Sequence, residues 1–161
     1  MSRLRVGIGV DAHGFSDGAR LVLGGVELPG ETGLAGHSDG DVVAHALVDA
    51  VLGAAGLGDI GSFFPSDESE WEGASSLLFL ERAMAAVREA GYDLVNADCV
   101  LVGERPRIAA VRGEMEAALA GALGVGPERV SVRATTTDGL GFTGRGEGLA
   151  AQAVALLEAQ A

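Results

Sequence analysis

The stretch VGIGVDAHGF, Val6–Phe15, alternates apolar residues with glycines and then sets Asp11 and His13 two positions apart. Successive side chains of an extended chain alternate between faces, so a strand over 3–12 carries Asp11 and His13 on one side at its end. That is half of a metal site or a plain polar strand end. The rest of the chain decides between the two.

Working outward, RLVLGGVEL reads as a short hairpin turning at Gly24–Gly25, and apolar periodicity predicts a helix over 41–55. A loop carries GDIGSFFPSDESEWEG. A helix over 75–90, stopped by Gly91, and a strand over 94–103 follow. A helix over 107–123, ended by Gly124, leads to a strand over 129–134 and the loop TTTDGLGFTGRGEG. The final LAAQAVALLEA fits a helix or a buried strand. Strands and helices interleave throughout, which predicts an α/β sandwich, and 161 residues read as one domain over 1–161.

Composition narrows the function. Acidic residues number 23 against 11 basic ones, for a net charge of −12, which argues against a nucleic-acid or anionic-membrane surface. All the basic residues are arginine, so neither a Schiff-base lysine nor a P-loop lysine exists. An anionic substrate then needs metal ions or local arginines. Cys99 is the one cysteine, and no apolar run is long enough for a signal peptide or span; the expectation is a soluble protein of a reducing compartment, the cytoplasm. Aromatics are only 4% of the chain, so Ala, Val and Leu must build the core, and such surfaces often complete their burial in an oligomer.

The other half of the opening motif lies in HSDGDVVAHALVDAVLGAAGLGD. Val43, Ala46, Leu47, Ala50 and Val51 form one helical stripe; His45 falls on the opposite face with Asp41 and Asp49. Asp49, four residues on, is placed to accept the second ring N–H of His45. Asp39 or Asp41 caps the helix, and the free N–H groups of its first turn suit phosphate. His13, His37 and His45 are all the histidines of the chain. One carboxylate and two histidines with an open fourth position make a catalytic divalent-metal site, most simply zinc. The third element, ATTTDGLGFTGRGEG, offers hydroxyls at Thr135, Thr136 and Thr137, a carboxylate at Asp138 and a guanidinium fork at Arg145, among glycines that let the backbone approach a ligand.

DAH, HSDGDVVAHAL, LGDIGSFFP and TTTDGLGFTGRGEG, in register from about Arg5 to Leu157, resemble the 2-C-methyl-D-erythritol 2,4-cyclodiphosphate synthase family. The resemblance implies a mixed sheet of four to five strands packed on helices, in a homotrimer with the sheets around the threefold axis and active sites between subunits. It implies one Zn2+ per subunit on Asp11, His13 and His45, and a second divalent ion, Mg2+ or Mn2+, on Asp138. His37 and Thr136 match transition-state-stabilising positions. Asp11, His13, Ser38, Asp59, Ile60, Gly61, Phe64, Asp67 and Glu68 fall at substrate positions of the same half-site. Gly103, Pro106, Arg107, Ile108 and Ala109 match the segment that cradles the cytidine base, with Thr135, Thr137, Phe142 and Arg145 as further contacts. The chain departs from the family in having Asp138 for the usual Glu, Arg107 and Arg133 for Lys, and Ser66 for a common Asp, which leaves the roles of Asp67 and Glu68 open.

The implied reaction is attack by the 2-phosphate of 4-diphosphocytidyl-2-C-methyl-D-erythritol 2-phosphate on its own β-phosphorus, releasing CMP. It calls for positioning and charge neutralisation, with no protein nucleophile. A zinc-dependent phosphohydrolase is the alternative use of the same triad, and His37 is its one histidine candidate for general base. A binding protein stapled by a structural metal would need four protein ligands.

Overall fold

The computed structural model describes residues 3–161. Strand β1, Leu4–Ser16, is followed by the hairpin strands β2, Val22–Leu23, and β3, Val26–Glu27, and by β4, Gly33–Leu34. Then come α1, Val42–Ala55; α2, Ile60–Phe63; α3, Ser76–Glu89; β5, Tyr92–Val102; α4, Arg112–Leu123; β6, Val130–Thr135; α5, Gly141–Gly144; and β7, Gly148–Ala159. The mixed five-stranded sheet has the order β4-β1-β7-β5-β6, antiparallel except for the β5–β6 pair. The three long helices pack on one face of it.

The ambiguous C-terminal segment is the central strand. Leu149, Ala151, Ala153, Ala155 and Leu157 of β7 are buried with a period of two. Their outward neighbours Ala150, Val154 and Leu156 are apolar too, and this hid the alternation in the sequence. Strand β1 runs past its expected end, so Asp11 and His13 sit within the ladder, opposite Ala151 and Leu149. The helix expected from 107 begins only at Arg112. Ile108 is buried in the core and its carbonyl accepts from Val111 N, which spends the preceding residues on a turn. The loops read as structureless contain the single helical turns α2 and α5 and a 3-10 turn at Ser69–Trp71. The hairpin turns where expected, with Gly24 and Gly25 both at positive φ.

Helix α1 lies unusually close to β1. A Cβ on Gly9 would collide with the carbonyl oxygen of Ala46, and one on Gly7 with that of Ala50. Four helical residues rise about 6 Å and two strand residues about 6.6 Å, so the two elements stay in step. The start of α1 therefore lies over Asp11 and His13. The opposite face of the sheet is uncovered: Val6, Ile8 and Val10 are 69%, 66% and 58% exposed.

Candidate active site

Helical side chains lean toward the N-terminus, so the ring of His45 reaches back over the first turn of α1 to the end of the glycine track. There its Nδ1 lies 3.1 Å from Asp11 Oδ2 and 3.2 Å from His13 Nε2, while His13 Nε2 lies 2.8 Å from the same carboxylate oxygen. One ligand atom from each of Asp11, His13 and His45 falls within 4.8 Å of the others, the only such His/Cys/Asp/Glu cluster among the described residues. The other nitrogen of His13 is 2.6 Å from the carbonyl oxygen of Ala35, which β4 delivers beside β1. As Nδ1–H donates there, Nε2 of the neutral ring has its lone pair on the cluster.

In the metal-free triad, Asp11 and His13 favour each other's charged forms. Burial by itself raises the Asp11 carboxyl, but the imidazoles beside it, His13 foremost, outweigh it and bring the group down to about 2. His13 shifts up, chiefly through its hydrogen bond to Asp11, with burial opposing. An ionised carboxylate and two imidazoles fit Zn2+ in a site with room for a further ligand.

The face that His45 shares with Asp41 and Asp49 is not solvated. Helix α1 is enclosed on nearly all sides, and His45 is 8% exposed. Nor does Asp49 hold its second nitrogen: the Asp49 carboxylate accepts from Ile60 N at 2.7 Å, anchoring α2. His45 Nε2 instead meets the hydroxyls of Ser76 at 2.7 Å and Ser38 at 3.0 Å. Nothing in the sequence marked Ser76, which follows the capping Ser75 as the first residue of α3. The two capping aspartates divide the work. Asp41 caps α1 through Ala44 N and also accepts from Gly24 N and Gly25 N, clamping the hairpin turn onto the helix. Burial pushes its carboxyl up to about 6 against the pull of those donors. Asp39 accepts from Ser76 N at the start of α3.

The triad opens into a cavity of about 410 Å³ lined also by His37, Ser38, Ile60, Gly61, Phe64, Ser66 and Asp67, with Trp71 and Phe79 behind them. The rings of Phe64 and Phe79 stack at 4.4 Å, so the back wall is apolar. Asp59 lies outside this lining, and its carboxylate caps α2 by accepting from Ser62 N. Glu68 is likewise outside and accepts from the Trp71 indole N–H at 3.1 Å. Of the two acids Asp67 and Glu68, only Asp67 faces the cavity.

The remaining sequence-marked residues gather elsewhere. Ala12, Ala150, Val102 and Thr135 stand in one line across the sheet, which puts β6 three strand spacings, about 14 Å, from the triad's strand. Beyond β6, Thr136 Oγ1 donates to Asp138 Oδ1 at 3.1 Å, and Asp138 takes a left-handed backbone with φ 52°. Glu104 clasps this loop by accepting from Thr137 N at 3.3 Å and Gly139 N at 3.5 Å. A second cavity of about 550 Å³ opens here, lined by Glu104, Arg105, Pro106, Thr143 and Arg145 among others. Arg145 pairs with Glu147 at 2.8 Å. Arg107, Ala109 and Phe142 are exposed beside it, whereas the Ile108 side chain is in the core.

The model of the YgbB family matches residues 4–158. The 2-C-methyl-D-erythritol 2,4-cyclodiphosphate synthase of Rubrobacter xylanophilus is 56% identical over 161 aligned residues, covering 98% of this chain and 97% of its own. That of Moorella thermoacetica is 54% identical over 154, covering 96% and 94%. The solved structure of Plasmodium falciparum IspF in complex with CDP superposes with a TM-score of 0.86 at 29% identity, covering 100% of this chain and 99% of that one.

Proposed function

Because the chain belongs to the YgbB family, we propose that it is a 2-C-methyl-D-erythritol 2,4-cyclodiphosphate synthase, a cyclising, CMP-forming phosphorus–oxygen lyase of the non-mevalonate route to isoprenoid precursors. Its substrate is 4-diphosphocytidyl-2-C-methyl-D-erythritol 2-phosphate, and residues 1–161 act as one catalytic domain. The observation that carries the reading is the convergence of Asp11, His13 and His45 at one point of a cavity that His37 and Ser38 also line. The relatives' common name and the CDP held by a structural neighbour support it.

In the reaction, an oxygen of the 2-phosphate bonds to the β-phosphorus while the bond from that phosphorus to the bridging oxygen breaks, and CMP departs with that oxygen. Asp11, His13 and His45 would hold Zn2+, and Asp138 would hold Mg2+ or Mn2+; when bound, these ions supply the positive charge that two phosphates brought together require. His37 and Thr136 stabilise the transition state, and Ser38, Ile60, Gly61, Phe64 and Asp67 position the erythritol phosphate. Gly103 and Pro106 to Ala109 cradle the base. Thr135, Thr137, Phe142 and Arg145 complete the contacts.

Both halves of this set must meet one substrate, yet within a chain the second half lies away from the triad's cavity, with Pro106 and Arg145 lining the other one. A homotrimer with the open sheet faces around its threefold axis accounts for this, each site taking its metal segment from one subunit and its base segment from the next. The exposed Val6, Ile8 and Val10 are suited to that contact. We place the enzyme in the cytoplasm, in keeping with a single, buried cysteine. No helix among the described residues is long and apolar enough to cross a membrane.

The test is product analysis with the cytidine substrate, Zn2+ and Mg2+ in 18O-labelled water. Equal yields of CMP and cyclodiphosphate without label are expected. Labelled phosphate would point to the hydrolase instead, and the release of neither CMP nor labelled phosphate would overturn both. His45→Ala should lose stoichiometric zinc together with activity while keeping the fold.

A further inference from the structure

We propose that Ser76 and Asp39 form a proton-ordering relay that fixes His45 as the Nε2–H tautomer and so keeps its Nδ1 lone pair on the metal point. The inference rests on the metal-centre reading above and adds two positioning residues to it.

A carboxylate only accepts hydrogen bonds. Asp39 Oδ1 is in very short contact with Ser76 Oγ, so the one hydroxyl proton of Ser76 is committed to Asp39. Two backbone donors, Ser76 N at 2.9 Å and Asp41 N at 3.1 Å, hold that carboxylate in place. With its proton spent, Ser76 Oγ can only accept from His45 Nε2, 2.7 Å away. Ser76 is fully buried, so water does not offer Nε2 an alternative there. A neutral imidazole carries one ring proton, and this arrangement assigns it to Nε2.

The opposite tautomer has a claim of its own. Asp11 Oδ2 lies 3.1 Å from His45 Nδ1, close enough to draw the proton to that nitrogen and block it as a ligand. Without the relay, the carboxylate that is to share the metal would compete for the wrong form of its neighbour. Ser38 also approaches Nε2, at 3.0 Å, but it lines the cavity and is assigned to the substrate, so the buried Ser76 is the partner that persists through a turnover. The relay also joins the metal point to the start of α3, since Asp39 binds both the backbone N–H and the hydroxyl of Ser76.

The experiment uses metal-free protein labelled with 15N-histidine at a pH where His45 is neutral, and reads its tautomer by long-range 1H–15N correlation. The wild type is expected to show the Nε2–H form. An Nδ1–H form would overturn the relay, and this measurement needs no variant to fold. Zinc affinity is then measured by competition with a chromophoric chelator. Ser76→Ala should bind zinc roughly 10- to 100-fold more weakly, the usual cost of losing a partner behind a ligand, with His45 moving toward Nδ1–H. Ser75→Ala removes the hydroxyl that caps the same helix without touching His45 and should leave affinity unchanged. Equal loss in both variants, or none in Ser76→Ala, would overturn the relay while leaving the metal centre standing. A wild type that takes up no zinc would overturn the metal centre and the relay with it.

Discussion

At the scale of single residues, the pair Asp11–His13 ties the stability of the metal-free protein to pH. The carboxyl of Asp11 is lowered from 3.8 to about 2, so its contribution is present above 3.8 and is lost as pH falls toward 2. His13 is raised from 6.5, so its contribution is complete below 6.5 and is lost as pH rises through its shifted value. Both contributions are therefore whole between 3.8 and 6.5. Denaturant unfolding of metal-free wild type and Asp11→Asn should show its widest gap in that window, about 1 kcal/mol once solvent screening of these half-buried groups is allowed for, and a narrower gap on either side. A gap that widens steadily up to pH 9 would contradict the ion pair. Burial pushes the thiol of Cys99 up to about 12, so it stays protonated at neutral pH.

At the scale of elements, the site depends on how closely α1 lies on β1. Gly7 and Gly9 leave no room for a methyl group beneath the carbonyls of Ala50 and Ala46. Gly9→Ala must lift the helix or bend the strand, a distortion that costs about 1–3 kcal/mol or more. Because His45 precedes Ala46, that movement should also pull the imidazole off Asp11. A thermal melt lowered by several degrees, accompanied by weaker zinc uptake, is the expected outcome. Gly113→Ala, on an open stretch of α4 where an added methyl meets nothing, should neither lower the melt nor weaken zinc uptake. The loop clasped by Glu104 works on the same scale, since two amides flanking Asp138 converge on one carboxylate oxygen and hold the left-handed turn that Asp tolerates better than most residues.

At the scale of the whole molecule, the proposed trimer would account together for the open sheet face and for the distance between the metal triad and the base segment. Ile8→Asp puts a charge at the centre of the exposed apolar stripe and should convert a trimer to monomers, read by light scattering after size exclusion, with loss of turnover. A wild type that is already monomeric would remove the basis for shared sites. If sites are shared, Asp11→Ala and Asp138→Asn subunits, each inactive alone, should regain activity when refolded together. Random assortment around a closed threefold ring leaves about a quarter of the interfaces intact. Heterotrimers no more active than their parents would show that each site lies within one subunit.

Several features of this protein were legible in its residues because they depend on local rules: the same-side placement of Asp11 and His13 on a strand, the helix carrying His45, the two-glycine hairpin turn, and the aspartate cap of α1. The motif resemblance added the family. What the tertiary structure alone decided arises from contacts between distant segments. Strand β7 could not be told from a helix, because its outward face is also apolar and its identity came from the two strands that flank it. Asp49 looked like the partner of His45 by helical spacing, yet α2 folds back to claim it, and the partner comes from α3, 31 residues away. A serine at the first position of a helix carries no local signal of what it faces. Only the packing of α3 against α1 turns Ser76 toward the imidazole, since hydrogen-bond partners across a core are chosen by where elements dock and not by their own sequence.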